Sequence, residues 1–213
     1  MTTERPSHPT LPGHLLAADE EVRDQPLRWP VTSRETAYDG GFISVTEEQV
    51  QAPSGEELGR TVVHHKGAVA VVAVDDDGRL LVLEQYRHAV GHRLLEVPAG
   101  ILDVEGESPE DAAARELAEE ADLHAERWEH LATTFSSPGF TDEQVVVFLA
   151  RGLSAVPEAE RTAREQEEAE MTSVWLGLHE AVAAVLDGRV HNALAVIGIL
   201  AASARLGTAT PSR

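Results

Sequence analysis

The residues best suited to chemistry stand in one register: Arg115, Glu116, Glu119 and Glu120 in the run RELAEE, preceded by Glu107 and by Ser108-Pro109. Ser108 can cap a helix through its hydroxyl and Pro109 suits the first helical position. Glu110 and Asp111 place negative charge where the helix dipole favours it. A helix starting at Ser108 is therefore predicted. At about 100° per residue, Glu116, Glu119 and Glu120 share one face, and Ala114, Leu117, Ala118 and Ala121 form the opposite face, expected to meet the core. Like charges three and four residues apart cost a few tenths of a kcal/mol per pair. A hard divalent cation would offset that repulsion. Oxygen donors without Cys or an adjacent His favour Mg²⁺ or Mn²⁺ over zinc. The alternative is an acidic solvated helix face, which is what a bare ExxE usually marks.

Elements on either side must position this helix. Arg93 to Val97 predicts a strand; Pro98-Ala99-Gly100 ends it and opens the loop to the helix, so that a backbone carbonyl there can face a cation. The apolar run Ala68 to Val74 and the segment Leu80 to Tyr86, joined through Asp75 to Gly78, predict a hairpin of buried strands. Asp75 to Asp77 lack the downstream bidentate Glu of a calcium loop and read as a solvated turn. Further upstream, Glu35 to Tyr38, Phe42 to Val50 and Arg60 to His65, with a turn at 52–55, predict a small antiparallel layer. Its exposed edges suit pairing with another subunit. Downstream, Leu131 to Phe135 and Val145 to Ala150 predict strands around the turn-rich Ser136 to Glu143. The charge-dense Glu158 to Glu170 reads as a solvated loop ahead of a strand at Met171 to Leu176, placed to hang over a site. Helices are predicted for Leu178 to Asp187, ended by Gly188, and for Asn192 to Leu206.

Composition bounds the function. A chain of 213 residues with 42% hydrophobic content can bury one core. With 37 acidic and 17 basic residues the formal charge is −20, which repels nucleic-acid backbones and anionic membranes. Neither a nucleic-acid polymer nor a membrane is expected as a partner. A small phosphorylated substrate stays open, because bound cations invert the local field. The absence of Cys excludes disulfides and thiol catalysis. No secretory-type apolar run opens the sequence, and Ala193 to Ala202 falls short of the roughly 20 residues a membrane helix needs. Cytoplasmic localisation is expected. Residues 1–30 read as a mobile extension with one helical turn near Leu15 to Val22, and 207–213 as a fraying end.

Taken together, Glu107, the run Arg115-Glu116-Leu117-Ala118-Glu119-Glu120 and Leu123 closely resemble the Nudix box, the metal-binding loop and helix of Nudix hydrolases. Two departures stand out: the gap from Gly100 to Glu107 is one residue longer than usual, and Asp122 replaces the Gly near the helix end. The extra loop residue is absorbed upstream of the helix, and Asp tolerates the left-handed conformation better than most residues. Pro138, fifteen residues past Leu123, resembles the mark of the ADP-ribose pyrophosphatase subgroup. The strings EQYRHAVGHRLLEVPAG, SPGFTDE and EEAEMT follow in the order seen in bacterial ADP-ribose pyrophosphatases, and the resemblance spans about residues 33–206.

The resemblance implies an α/β fold: an α/β/α Nudix sandwich with a mixed sheet over 67–206, plus the antiparallel layer at 31–66 exchanged or packed in a homodimer. It implies hydrolysis of the pyrophosphate of ADP-ribose to AMP and ribose 5-phosphate, with another nucleoside diphosphate sugar or dinucleotide as the alternative substrate. A non-catalytic ADP-ribose sensor is the rival of another class, disfavoured by the complete set of box glutamates. Glu116, Glu119, Glu120 and the Ala99 carbonyl would hold Mg²⁺, or Mn²⁺. Arg115 would orient the cluster and Glu107 the loop. Glu168 matches the catalytic carboxylate, with Glu167 and Glu170 as alternatives. Arg60 and Arg87 match positions that contact substrate, and Pro138 marks the substrate loop. Phe42 matches an aromatic that packs on adenine across the dimer, or is a core residue of the N-terminal layer.

Overall fold

The computed structural model describes residues 5–17, 20–164 and 169–207. Before residue 31 the described residues form no helical turn, so the turn expected near Leu15 to Val22 is absent from the described part of that stretch. The proposed fraying of 208–213 lies outside the described residues.

The first three strands are antiparallel: β1 (Val31–Asp39), β2 (Ile43–Gln51) and β3 (Glu57–His65), paired in the order β1-β2-β3. All nine residues of β1 are exposed. The layer joins the body through β3. The Val63 N–H donates to the Phe140 carbonyl at 2.8 Å and the Asp142 N–H to the Val63 carbonyl at 3.2 Å. Asp142 also meets His64 Nδ1 at 2.6 Å and accepts the His65 N–H at 2.9 Å.

The central sheet has the order β7-β4-β9-β8, built from β4 (Ala68–Ala73), β7 (Ala99–Ile101), β8 (Leu123–Phe135) and β9 (Gln144–Ala155). It is mixed, because β4 and β9 run parallel while the other pairs are antiparallel. β4 is buried along its whole length. Val69, Val71 and Ala73 face the helix α1 (Pro109–Ala121) together with Leu117 and Ala113. Ala70, Val72 and Val74 pack on the other side against α2 (Leu178–Leu186) and α3 (Ala193–Leu206). A strand covered on both faces needs an uninterrupted apolar run, and AVAVVAV supplies it. The layers are thus α/β/α. Among the described residues no helix is long and apolar enough to cross a membrane.

The expected hairpin is corrected. β5 (Arg79–Arg87) does not pair along β4; it lies in a second sheet, β10-β5-β6, with β6 (His92–Glu96) and β10 (Thr172–Gly177). Only a bridge between Val74 and Leu80 survives at the turn. There Asp75 Oδ1 accepts the N–H groups of Asp77 and Arg79 at 3.0 and 2.8 Å, so its carboxylate closes the turn. Beyond the turn, β4 is already flanked by β7 and β9, which leaves β5 to find its partners elsewhere.

The helix face is corrected as well. The buried residues of α1 are Ala112, Ala113, Leu117 and Glu120, whereas Ala114, Ala118 and Ala121 are half-buried. The core-facing direction passes between Ala113 and Leu117, so Glu120 lies beside the core instead of opposite it. The N-cap is as expected: Ser108 Oγ accepts the Asp111 N–H at 3.1 Å.

Candidate active site

A cleft of about 630 Å³ opens where α1, β5 and β7 meet. Gly100 explains how the helix approaches so closely: a methyl group built on its Cα would overlap the Glu116 carboxylate. With any other residue there, the Glu116 side chain would have to move. Glu120, 8% exposed, accepts the Ala99 N–H at 2.8 Å, so the strand and the helix carboxylate are joined directly.

Arg115 is the centre of the acidic cluster. Its Nε and Nη2 donate to the two oxygens of Glu107, both at 3.0 Å, and its Nη1 donates to Glu116 at 2.6 Å and to Glu119 at 3.2 Å. The hydrogen bonds to Glu107 raise the guanidinium above its ordinary value; burial opposes this, and the negative charges of Glu116 and Glu107 add to the rise. Arg115 is therefore a permanent cation where three carboxylates converge. Its pairing with Glu107 ties the loop ahead of the helix to the helix itself.

Among the described residues no three His, Cys, Asp or Glu side chains stand close enough together to hold a metal ion as they are placed. The chemistry of the donors nevertheless suits a hard cation: every side-chain ligand offered by Glu116, Glu119 and Glu120 is a carboxylate oxygen, and all three line the cleft.

On the opposite wall, Arg87 forms a two-pronged pair with Glu96, Nε to Oε1 at 3.0 Å and Nη2 to Oε2 at 2.7 Å. The Glu96 side chain is 5% exposed and that of Arg87 45%, so the buried carboxylate aims a half-exposed guanidinium into the cleft. The structure thus brings together Arg87, Ala99, Arg115, Glu116, Glu119 and Glu120. It does not bring Phe42, Arg60 or Pro138 to the same wall. Phe42 is exposed rather than core and meets His65 edge-on at 6.1 Å, and His65 lines the cleft. Arg60 is exposed on β3, bonded to the Gly59 carbonyl at 2.7 Å. Pro138 sits exposed in its turn, and the residue of that loop which reaches the cleft is Glu143. Glu167 and Glu168 lie outside the described residues.

Sequence reading missed His65, Gln85 and Glu143 in the lining. Gln85 carried a signal: it is a polar residue, 7% exposed, inside an apolar strand and two residues before Arg87, hence on the same face. Glu143 closes the SPGFTDE string from which Pro138 was chosen.

Residues 64–195 match the model of the NUDIX domain family. The chain belongs to the Nudix family of hydrolases. It is 47% identical over 174 residues to an ADP-ribose pyrophosphatase of Mycobacterium tuberculosis, covering 81% of this chain and 82% of that protein. It is 38% identical to an ADP-ribose pyrophosphatase of Bacillus subtilis, covering 76% and 85%. A crystal structure of an ADP compounds hydrolase shares the fold, with a TM-score of 0.72 at 19% identity, over 89% of this chain and all of that one. The cleft of this Nudix hydrolase is thus formed by its box helix, and enzymes of the family generally depend on divalent metal.

Proposed function

We propose that this Nudix hydrolase cleaves the pyrophosphate bond of ADP-ribose, giving AMP and ribose 5-phosphate, with Mg²⁺ as cofactor; Mn²⁺ has the same ligand preference. The observation that carries this reading is the gathering of Glu116, Glu119 and Glu120 around one cleft, faced by the guanidinium of Arg87. The names of the two relatives support ADP-ribose as the substrate.

Glu116, Glu119, Glu120 and the backbone at Ala99 would hold the cation. When bound, it supplies Lewis acidity, neutralising charge that develops on the phosphates and acidifying water. Arg115 screens the mutual repulsion of the carboxylates and fixes their direction through Glu107. Arg87, aimed by Glu96, offers a planar fork to a phosphate oxygen. A carboxylate of the 158–170 segment, Glu168 by its place in the sequence, takes the proton of the attacking water. The exposed strand β1 supports a homodimer in which Phe42 and Arg60 reach a partner's cleft, since neither lines the cleft of its own chain. A cytoplasmic location accords with this substrate.

The test is AMP release from ADP-ribose with Mg²⁺, wild type beside Glu120→Gln, across a panel that includes other nucleoside diphosphate sugars. The amide oxygen of Gln can still accept the Ala99 N–H, so the fold is kept while a charge is lost. A fall of about 10²- to 10³-fold is expected, the scale on which one strong electrostatic contribution to catalysis acts. A wild type inactive on ADP-ribose but active on another panel member would replace the substrate; equal activity of the variant would remove the metal reading.

A further inference from the structure

The C-terminal end of α1 carries charges that its own helix opposes. Glu119 and Glu120 lie in the last turn, which holds no basic residue, although the helix dipole there favours cations. Asp122 follows as the C-cap, with φ 56° and ψ 37°. Among the described residues it is the one non-glycine with positive φ. Glycine adopts that conformation freely, whereas an L side chain costs roughly 1–2 kcal/mol there. Relative to glycine, conformation and field both disfavour an Asp at this position.

The counter-charge comes from a distant segment. Arg164 Nη2 donates to Asp122 Oδ2 at 2.7 Å, and its Nε donates to the backbone carbonyl of Glu119 at 3.0 Å. The two side chains are only 24% and 25% exposed. Arg161 Nε stands 3.9 Å from Asp122 Oδ1, and the Val156 N–H donates to the Asp122 carbonyl at 2.9 Å. One guanidinium thus satisfies a helix-end carbonyl that lacks an intrahelical partner, neutralises Asp122 and opposes the negative end of the dipole.

We propose that Arg164 and Asp122 are positioning residues for the carboxylate helix. Arg164 holds the backbone of Glu119 through its carbonyl and the adjoining turn through Asp122, and so fixes where Glu119 and Glu120 present their carboxylates. The inference rests on the reading that these glutamates hold Mg²⁺. It also accounts for the departure at the helix end: Asp122 replaces a cap residue that needs no partner with one that recruits Arg164.

The test separates the cap from the anchor. Asp122→Gly keeps the left-handed cap and removes the carboxylate half of the anchor; Arg164→Ala removes that half and the bond to the Glu119 carbonyl; Arg164→Lys keeps the charge without the two-donor fork. Mg²⁺ affinity of the full chain is measured by calorimetry, and amide exchange over residues 118–123 is measured on metal-free protein. Disturbing groups that orient metal ligands typically weakens metal binding by about tenfold or more. About tenfold weaker Mg²⁺ binding is therefore expected in Asp122→Gly and in Arg164→Ala, with the double variant no weaker than Arg164→Ala, Arg164→Lys intermediate, and exchange accelerated in both single variants. Wild-type affinity and exchange in Asp122→Gly, or losses that add in the double variant, would overturn the proposal. Asp122→Gly decides the matter even if Arg164→Ala fails to fold. A wild type that binds no Mg²⁺ overturns the metal reading instead, and the exchange data then decide the positioning of the helix end separately.

Discussion

Replacing Gly100 by Ala tests the geometry of the cleft with one methyl group. Gly100 does not lie in the left-handed region, so the backbone accepts Ala without strain and the effect must come from space. The new Cβ would overlap Cδ and Oε1 of Glu116. Either β7 or the carboxylate moves. Gly100 is paired with Val69, which is fully buried between two layers, so the side chain yields. Moving it loosens the 2.6 Å bond from Arg115, worth about 1 kcal/mol once the partial exposure of the guanidinium is allowed for, and forces an off-rotamer position costing about 1 kcal/mol. A total near 2 kcal/mol corresponds to roughly 4–8 °C in melting temperature for a chain of this size. The same energy lost at the transition state lowers kcat/KM roughly thirtyfold. The assay is AMP release at saturating Mg²⁺ beside a thermal melt, with Gly139→Ala as control, because a Cβ there meets nothing within 4 Å. Gly100→Ala with kcat/KM within twofold of wild type and an unchanged melt would refute the close packing of strand on carboxylate.

Arg87→Ala should raise KM for the substrate and also lower stability by about 2 kcal/mol, because the buried Glu96 loses its guanidinium; Glu96→Gln beside it in a thermal melt shows how much of that loss is uncompensated charge. Ser108→Ala should cost about 1 kcal/mol by removing the cap of α1, read as a shift of roughly 2–4 °C in the melt, and no shift would contradict the capping bond. Burial pushes Asp142 up, but hydrogen bonds from His64 and the His65 N–H outweigh it and hold the carboxyl below its ordinary value. A depressed carboxyl contributes stability that is present above its unfolded pKa, near 4, and lost as pH falls below that. Asp142→Asn should therefore lose less melting temperature than wild type between pH 5 and pH 3, and equal slopes would remove the link between β3 and the loop.

The capped start of α1 could be read before any tertiary structure because a cap is a local event: Ser108, Pro109 and the acids of the first turn act on amides three residues away. The buried run of β4 was legible for a related reason, since only a strand covered on both faces tolerates seven apolar residues in succession. The face of α1 was not. Periodicity gives angles between side chains but no origin, and with small Ala residues nearly all round, the stripe at Ala114, Leu117 and Ala118 looked as apolar as the true one at Ala113 and Leu117. Gly100 decided the origin by letting β7 pass against Glu116.

The partner of β5 was hidden too, because a tight turn at Asp75 fixes the direction of the chain but not which edge receives it; that choice belongs to β7 and β9, which fill both edges of β4. Asp122 shows the division most plainly. The sequence by itself determined that a left-handed cap could form there, a matter of one residue's backbone energy. Only the tertiary structure decided that its carboxylate meets Arg164, because a contact spanning 42 residues depends on where the whole intervening chain folds.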